Sequence, residues 1–157
     1  MTRPVSAKSV SAIQGATIYP KPFAHLVAGR IKRKLGDQFG LTNFGVNLTE
    51  LAPDSTTALL HHHSRQDEFV YVLEGCVTLV LQNEEIEMGP GDCVGIKLGE
   101  GIASMIVNKS SSAATILEIG DRSPGDEVEY PNDDLKASMG ADGTWKMTHK
   151  DGRPYED

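Results

Sequence analysis

The stretch HHHSRQDEFVYVLEG runs from residue 61 to residue 75 and holds the densest group of metal-binding side chains in the sequence. In a β-strand, residues two apart point to the same side, so His61 and His63 share one face, about 6.6 Å apart along the strand. Glu68 comes five positions after His63, which is the wrong parity for one continuous strand. The polar segment 64–67 must therefore turn the chain before Glu68 can join the two imidazoles.

Two imidazoles and one carboxylate that meet at a point have the composition of a metal site. This set is the facial triad of iron(II) oxygenases, and the same donors hold catalytic zinc with an open water position. The spacing indicates His61, His63 and Glu68 as ligands of a divalent metal. The alternative is a polar strand end whose histidines make ordinary hydrogen bonds. Val70 and Val72 follow Glu68 at the same parity and are expected to line the same interior.

Short apolar or alternating runs separated by turn residues fill the centre of the chain. This pattern predicts an all-β fold rather than an alternation of strands and helices. The predicted strands cover residues 42–51, 58–63, 68–73, 76–81, 84–88, 93–96, 102–108 and 113–119. A double-sheet jelly roll or a small barrel closes eight such strands with few exposed edges.

The segment before this region differs from it in composition. Residues 1–29 are expected to form an extended arm, because the run Tyr19-Pro20-Lys21-Pro22 is incompatible with a helix. Residues 30–35 alternate in character and predict an edge hairpin that turns at Gly36-Asp37. Arg30, Lys32 and Lys34 share one side of this strand, where they form either a phosphate contact or a solvated face.

The segment after the region, residues 121–157, is expected to pack against the barrel. Asn132-Asp133-Asp134 predicts the cap of a short helix over residues 135–139. Residues 144–150 alternate again and predict a strand. The length of the chain suits one domain over residues 1–157, with its barrel core at about 42–120.

The composition restricts the partners and the compartment of the protein. The chain has 157 residues and a net charge of −7, which opposes binding to nucleic acid and to anionic membranes. It has no secretory apolar region and no run of 18 apolar residues, so we expect a cytoplasmic protein. Cys76 and Cys93 are too few for a disulfide framework and are expected to be free thiols. The sheet edges of a jelly roll and the N-terminal arm favour a homodimer.

The motif His61-x-His63-x4-Glu68-x6-Gly75 resembles the first motif of the cupin superfamily, from the first histidine onward. The turn Gly89-Pro90-Gly91-Asp92 and Asn108 resemble parts of the second cupin motif. The resemblance covers residues 42–120 and implies a cupin-type double-stranded β-helix, or jelly-roll barrel. With the flanks, the expected architecture is this barrel, an extended N-terminal arm, and a short C-terminal helix-plus-strand tail.

Three positions depart from the cupin motifs. Ser55 stands where the first motif has a glycine, and Lys97 stands near the place of a usual proline. Ser104 stands where most metal-binding cupins have a third histidine. The resemblance therefore implies an incomplete ligand set of His61, His63 and Glu68, with Ser104 and Asn108 facing the cavity from one strand.

The sequence leaves three functions open. The wider pattern resembles a group of small bacterial cupins, some of which are described as sugar-phosphate isomerase-like. A metal in the barrel (iron, zinc, manganese or nickel) would then polarise an oxygen of a small polar substrate. No residue stands out as the base that such an isomerisation needs. The alternatives are an iron(II)-dependent dioxygenase, and a binding or sensor cupin without catalysis, which Ser104 favours.

Overall fold

The structure, a computed structural model, describes residues 2–156. Within that range the chain forms thirteen β-strands, two single-turn α-helices and two 3-10 turns. The strands are β1 (Ile13–Gln14), β2 (Arg30–Lys34), β3 (Phe44–Leu51), β4 (His62–His63), β5 (Glu68–Glu74), β6 (Val77–Leu81), β7 (Glu85–Met88), β8 (Cys93–Ile96), β9 (Ser104–Val107), β10 (Ala114–Asp121), β11 (Glu127–Glu129), β12 (Lys136–Met139) and β13 (Trp145–Thr148). The helices are α1 (Lys21–Ala24) and α2 (Leu35–Gln38), and the 3-10 turns cover Ala7–Ser9 and His25–Val27.

The strands form three antiparallel sheets, as the turn-punctuated pattern of the sequence predicts. The six-stranded sheet has the order β1-β2-β3-β10-β5-β8, the three-stranded sheet β7-β6-β9, and the four-stranded sheet β13-β12-β11-β4. Side chains alternate between the two faces of a strand, so β5 buries Val70 and Val72 and exposes Phe69 and Tyr71. The predicted all-β jelly roll is confirmed.

Two apolar clusters fill different halves of the molecule. The first lies between the six-stranded and three-stranded sheets and contains Leu51, Val70, Val72, Val77, Leu79, Met88, Ile106, Ala114 and Ile116. The second lies against the four-stranded sheet and contains Leu59, Val128, Tyr130, Leu135 and Ala137, with Tyr19, Phe23, Trp145, Met147 and Tyr155 packed on it. Both flanks of the chain therefore pack on the barrel through the second cluster.

The C-terminal helix predicted over residues 135–139 is wrong. Residues Lys136–Met139 form β12, which pairs with β11 on one side and with β13 on the other. Leu135 and Ala137 alternate into the second cluster and are at most 1 % exposed. Pairing with two neighbouring strands and burial of this alternating face outweigh the local capping signal. The strand predicted over 144–150 is confirmed as β13, Trp145–Thr148.

The N-terminal arm is less extended than the sequence predicts. Helix α1 begins at Lys21 and includes Pro22, which a helix tolerates in its first turn because the missing N–H has no intrahelical partner there. Strand β2 is an inner strand rather than an edge, since β1 pairs with its outer side. The turn predicted at Gly36-Asp37 is the single-turn helix α2.

The strand predicted over residues 58–63 is much shorter in the structure. Only His62–His63 form β4, and His61 makes an isolated bridge with Ser104. The Thr56 hydroxyl donates hydrogen bonds to the carbonyls of Ala58 and Ile106, and such side-chain bonds compete with a regular ladder.

The outer face of the six-stranded sheet exposes apolar side chains. Phe69, Tyr71 and Leu73 are 36–41 % exposed and alternate with the buried residues of β5. The homodimer predicted from the sequence stays a prediction: light scattering on the purified protein is expected to return twice the 16.9 kDa chain mass at micromolar concentration. A monomer under those conditions would contradict it.

The helices described within residues 2–156 are single turns, too short to span a bilayer.

Candidate metal centre

The three predicted ligands come together at the junction of two sheets. His61 and His63 lie at the end of the four-stranded sheet, and Glu68 is the first residue of β5 in the six-stranded sheet. Their candidate ligand atoms all lie within 4.8 Å of one another. The Glu68 carboxylate is 3.6 Å from His61 Nε2 and 3.5 Å from His63 Nε2. The turn over residues 64–67 therefore brings the Glu68 side chain to the same side as the two histidines, as the sequence predicts.

Both imidazoles are oriented through their other ring nitrogen. His61 Nδ1 lies 2.7 Å from the Leu59 carbonyl oxygen, which makes Nδ1 the donor. His63 Nδ1 lies 2.5 Å from a carboxylate oxygen of Asp126, a residue with no exposed side-chain surface. Each Nε2 therefore faces Glu68. Metal-ligating histidines have this arrangement, in which a carbonyl or carboxylate holds the second N–H.

The geometry of the three groups fits a metal ion. A metal ion would replace the proton that His63 shares with Glu68, because both neutral imidazoles then present an Nε2 lone pair toward the carboxylate. Two ligand atoms about 2.1 Å from one ion are separated by about 3–3.5 Å. The observed separations of 3.5 Å and 3.6 Å are close to that range. Three protein ligands leave coordination positions for water or substrate.

Charges around the centre shift the pKa values of its carboxylates and of one imidazole. Burial raises the pKa of Glu68, but the two histidines outweigh it and hold that pKa well below its usual range. Burial also raises the pKa of Asp126, but its hydrogen bonds with His63 and with the Arg65 N–H outweigh burial and lower that pKa. For His63, burial favours the neutral ring, yet Asp126 and Glu68 raise its pKa to about 9.

These shifts predict how the stability of the metal-free protein depends on pH. The lowered carboxylate pKa values contribute stability above about pH 4.5, which is lost as the pH falls through them. The raised His63 pKa contributes stability below pH 6.5, which is lost as the pH rises through about 9. We therefore expect the melting temperature of the protein, freed of metal by a chelator, to fall as the pH rises from 6.5 to 9. Zinc should reduce this fall, because the ion replaces the proton. Calorimetry that shows a constant or rising melting temperature without metal would contradict the account.

A cavity of about 660 Å³ opens next to the centre, between the six-stranded and four-stranded sheets. His61 and His63 form part of its wall. An aromatic and apolar side is formed by Tyr19, Val128, Tyr130, Ala137, Met139, Trp145 and Met147, and a polar side by Arg30, Lys34, Asp37, Asn47, Asp121 and Arg122. The volume is in the range of small-molecule sites.

Two tyrosines of the cavity support the histidines. Tyr130 stacks on the His61 ring with centroids 5.8 Å apart, and Tyr19 meets Tyr130 edge to face. The Leu59 N–H donates a hydrogen bond to the Tyr19 hydroxyl. Burial is the main cause that raises the pKa of both tyrosines, so both remain neutral hydrogen-bonding groups.

Four residues predicted to line the cavity lie elsewhere. Val70 and Val72 have the predicted parity but belong to the first apolar cluster, opposite the three-stranded sheet. The Asn108 amide is fully engaged in the backbone, since it donates to the carbonyls of Leu51 and Ser112. Ser104 is 1 % exposed and exchanges backbone hydrogen bonds with His61. Ser104 therefore fixes the His61 backbone and is absent from the cavity wall.

The basic residues Arg30, Lys32 and Lys34 of β2 share the face that borders the cavity, where Lys34 remains 52 % exposed to solvent. Arg30 and Lys34 line the cavity, and Lys32 pairs with Glu118 at 3.2 Å. Arg122, which the sequence did not single out, joins them through a salt bridge to Asp37.

Sequence reasoning missed Asp126 and most of the aromatic wall. Asp126 follows the turn Ser123-Pro124-Gly125, where an acidic residue looks like an ordinary surface residue. Trp145 could have been found from the sequence, because the alternation of β13 places it on the same face as Met147.

Comparison with known proteins identifies the class to which this fold and centre belong. Residues 47–120 match the family model described as a cupin domain. A crystal structure described as a sugar phosphate isomerase from a cupin superfamily, from Silicibacter pomeroyi, is 35 % identical with a TM-score of 0.91. The match covers 98 % of this chain and 97 % of that chain. This chain belongs to the cupin superfamily.

Two further solved structures share the fold. A proposed sugar phosphate isomerase from Acidithiobacillus ferrooxidans is 30 % identical, with a TM-score of 0.72 over 82 % of this chain and 81 % of that chain. A polyketide cyclase from Streptomyces resistomycificus is 25 % identical, with a TM-score of 0.63 over 77 % of this chain and 80 % of that chain. No curated protein matches the chain.

Proposed function

We propose that this cupin is a metal-dependent isomerase of small sugar phosphates. The observation that carries the proposal is the convergence of Glu68 with two oriented imidazoles, His61 and His63, which line the cavity. The similarity to two structures, one described as a sugar phosphate isomerase and the other as a proposed one, supports the substrate class. Fold similarity alone does not determine activity, whereas the chemistry of the site does.

In this proposal His61, His63 and Glu68 hold a divalent metal, while Leu59 and Asp126 orient the imidazoles. When bound, the metal supplies a Lewis acid that polarises a carbonyl or hydroxyl oxygen of the substrate. The aromatic side of the cavity packs against the sugar carbons and excludes water. The hydroxyl groups of Tyr19 and Tyr130 remain protonated and hydrogen-bond each other, which leaves one O–H to donate to a sugar oxygen.

The basic side of the cavity supports a phosphorylated substrate. Within residues 2–156, Arg30 has no carboxylate partner, and its guanidinium donates to the backbone carbonyls of Thr57 and Ala16. Lys34 and Arg122 share a single acidic partner, Asp37. These three cations therefore retain donors that a phosphate can accept, and guanidinium groups match phosphate geometry well.

The proposal is tested with tag-free protein loaded in turn with iron(II), zinc, manganese or nickel. Each form is incubated with pentose and hexose phosphates in aldose and ketose forms, and products are followed by NMR. We expect interconversion of at least one aldose–ketose pair, dependent on metal and lost in His63→Ala. The unphosphorylated sugars should react at least tenfold more slowly. Turnover of none of the phosphates by any metal form would contradict the proposal.

A second function is favoured by the identity of the ligands. Two histidines and one carboxylate with open positions are the ligand set of iron(II) oxygenases, which bind substrate and oxygen at one ion. Oxygen uptake by the iron(II) form in the presence of a sugar phosphate would favour this function. A chain that takes up no metal but binds the sugar phosphate would favour a binding or sensor cupin.

A further inference from the structure

A charged pair lies inside the barrel beyond the three candidate ligands. Glu118 of β10 points to the inner face of the six-stranded sheet and pairs with Lys32 of β2 at 3.2 Å. The Thr49 hydroxyl, with no exposed surface, donates a hydrogen bond to the same carboxylate oxygen, Oε2. The Lys32 and Glu118 side chains are 23 % and 21 % exposed, so the pair is half-buried on the inner face of the sheet.

The strand register places this carboxylate beside the candidate metal centre. Glu118 lies opposite Asn47 of β3, a cavity residue, and Gly120 lies opposite Glu68 of β5. Glu118 and Gly120 are two residues apart and share the inner face. The Cα atoms of Glu118 and Glu68 are therefore diagonal neighbours, about 8 Å apart from strand rise and spacing.

Glu118 lies next to the cavity, beside its lining residues Asn47 and Gly120. Lys32 and Thr49 occupy Oε2, while Oε1 has no hydrogen-bond partner among residues 2–156. Gly120, which lines the cavity, has no heavy atom within 4 Å of the place where a Cβ would stand. The absence of a side chain at Gly120 leaves a path between Glu118 Oε1 and a molecule that contacts the metal centre.

We propose that Glu118 is the acid–base residue that moves the proton during isomerisation. This inference rests on the proposed function. Oε1 takes a proton from the carbon next to the substrate carbonyl; the C–H electron pair forms a carbon–carbon double bond, and the carbonyl π pair moves to its oxygen. The neighbouring hydroxyl proton passes to that oxygen, and the electron pair left on the second oxygen forms the new carbonyl. The carbon–carbon π pair then takes the proton back from Glu118 at the former carbonyl carbon. The step needs no oxidant or reductant, and Lys32 and Thr49 position the carboxylate.

The test follows the proton itself. Zinc-loaded and manganese-loaded proteins are incubated in D₂O with each aldose and ketose phosphate, and exchange at C1 and C2 is followed by ¹H NMR. We expect exchange in the wild type and at least about a 100-fold slower rate in Glu118→Gln, the usual size of an acid–base contribution. Glu118→Asp should retain part of the rate. Glu50→Gln is the matched control, because Glu50 of β3 pairs with Arg33 of β2 in the same sheet but on the opposite face.

A binding readout separates the proton-transfer role from a structural role. Sugar-phosphate hydroxamates mimic the enediol state, and their affinity depends on groups that act in the transition state. Calorimetry is expected to show hydroxamate binding weakened at least tenfold in Glu118→Gln, with the affinities for zinc and for the parent sugar phosphate within threefold of wild type.

The possible outcomes distinguish the two proposals. Exchange in the wild type that persists at the same rate in Glu118→Gln would overturn the role of Glu118 and leave the isomerase function standing. Loss of zinc affinity in Glu118→Gln would also overturn it, because the residue would then support the metal site. Absence of exchange in the wild type with every sugar phosphate would contradict the isomerase function and the inference that rests on it.

Discussion

Replacing His63 with alanine is expected to weaken metal binding by more than about 100-fold. Loss of a residue that only hydrogen-bonds a ligand weakens binding by up to about 100-fold, and loss of the ligand itself should cost more. His63 supplies one of three protein ligand atoms, and its Nε2 lies 3.5 Å from the Glu68 carboxylate. The alanine variant retains one imidazole and one carboxylate, too few to hold a transition metal against a chelator. Competition titration with a coloured chelator measures the change for zinc and manganese.

The chain offers a matched control one residue away. His62 belongs to the same two-residue strand but points to the opposite face, where its Nε2 lies 3.6 Å from the exposed Glu129. His62→Ala removes an equal imidazole and should leave metal affinity within about twofold of wild type, since surface pairs contribute little. Equal affinities of His63→Ala and wild type would show that the histidines are structural.

Replacing Asp126 with asparagine is expected to weaken metal binding about 10- to 100-fold without removing a ligand. The asparagine amide can donate to His63 Nδ1, which leaves the ring proton on Nε2, the atom that must bind the metal. The side-chain oxygen can still accept the Arg65 N–H, so the local fold is retained. The same titration measures the effect.

A second His–Asp pair provides the control for this substitution. His149 Nδ1 lies 2.7 Å from Asp134, but the pair is at the surface near the C-terminus and far from the three ligands in sequence. Asp134→Asn should lower the melting temperature slightly and leave metal affinity unchanged. An Asp126→Asn variant with wild-type affinity would mean that the Asp126 carboxylate does not orient a ligand.

The metal centre could be predicted from the sequence because its three side chains are close in the chain. Strand parity put His61 and His63 on one face, and the polar segment 64–67 provided the turn that Glu68 needs. Asp126 could not be predicted in this way, since it reaches His63 only when β11 pairs with β4. Local patterns carry no information about such a long-range contact.

The misplaced cavity residues have a related cause. The parity of Val70 and Val72 predicted an inward direction, which is correct, but parity does not tell which half of a barrel a residue fills. The helix predicted over residues 135–139 failed because sheet pairing outweighed a local cap. Glu118 lies between Leu117 and Ile119, and the sequence did not reveal that its partner would be Lys32.

The central claim is that His61, His63 and Glu68 bind one metal ion. Crystals of protein purified without a histidine tag or a metal column, and supplied with zinc, test it by anomalous diffraction at the zinc edge. We predict one peak per chain within about 2.0–2.2 Å of both Nε2 atoms and a Glu68 oxygen. A map without a peak between these three side chains, from crystals saturated with zinc, would contradict the account.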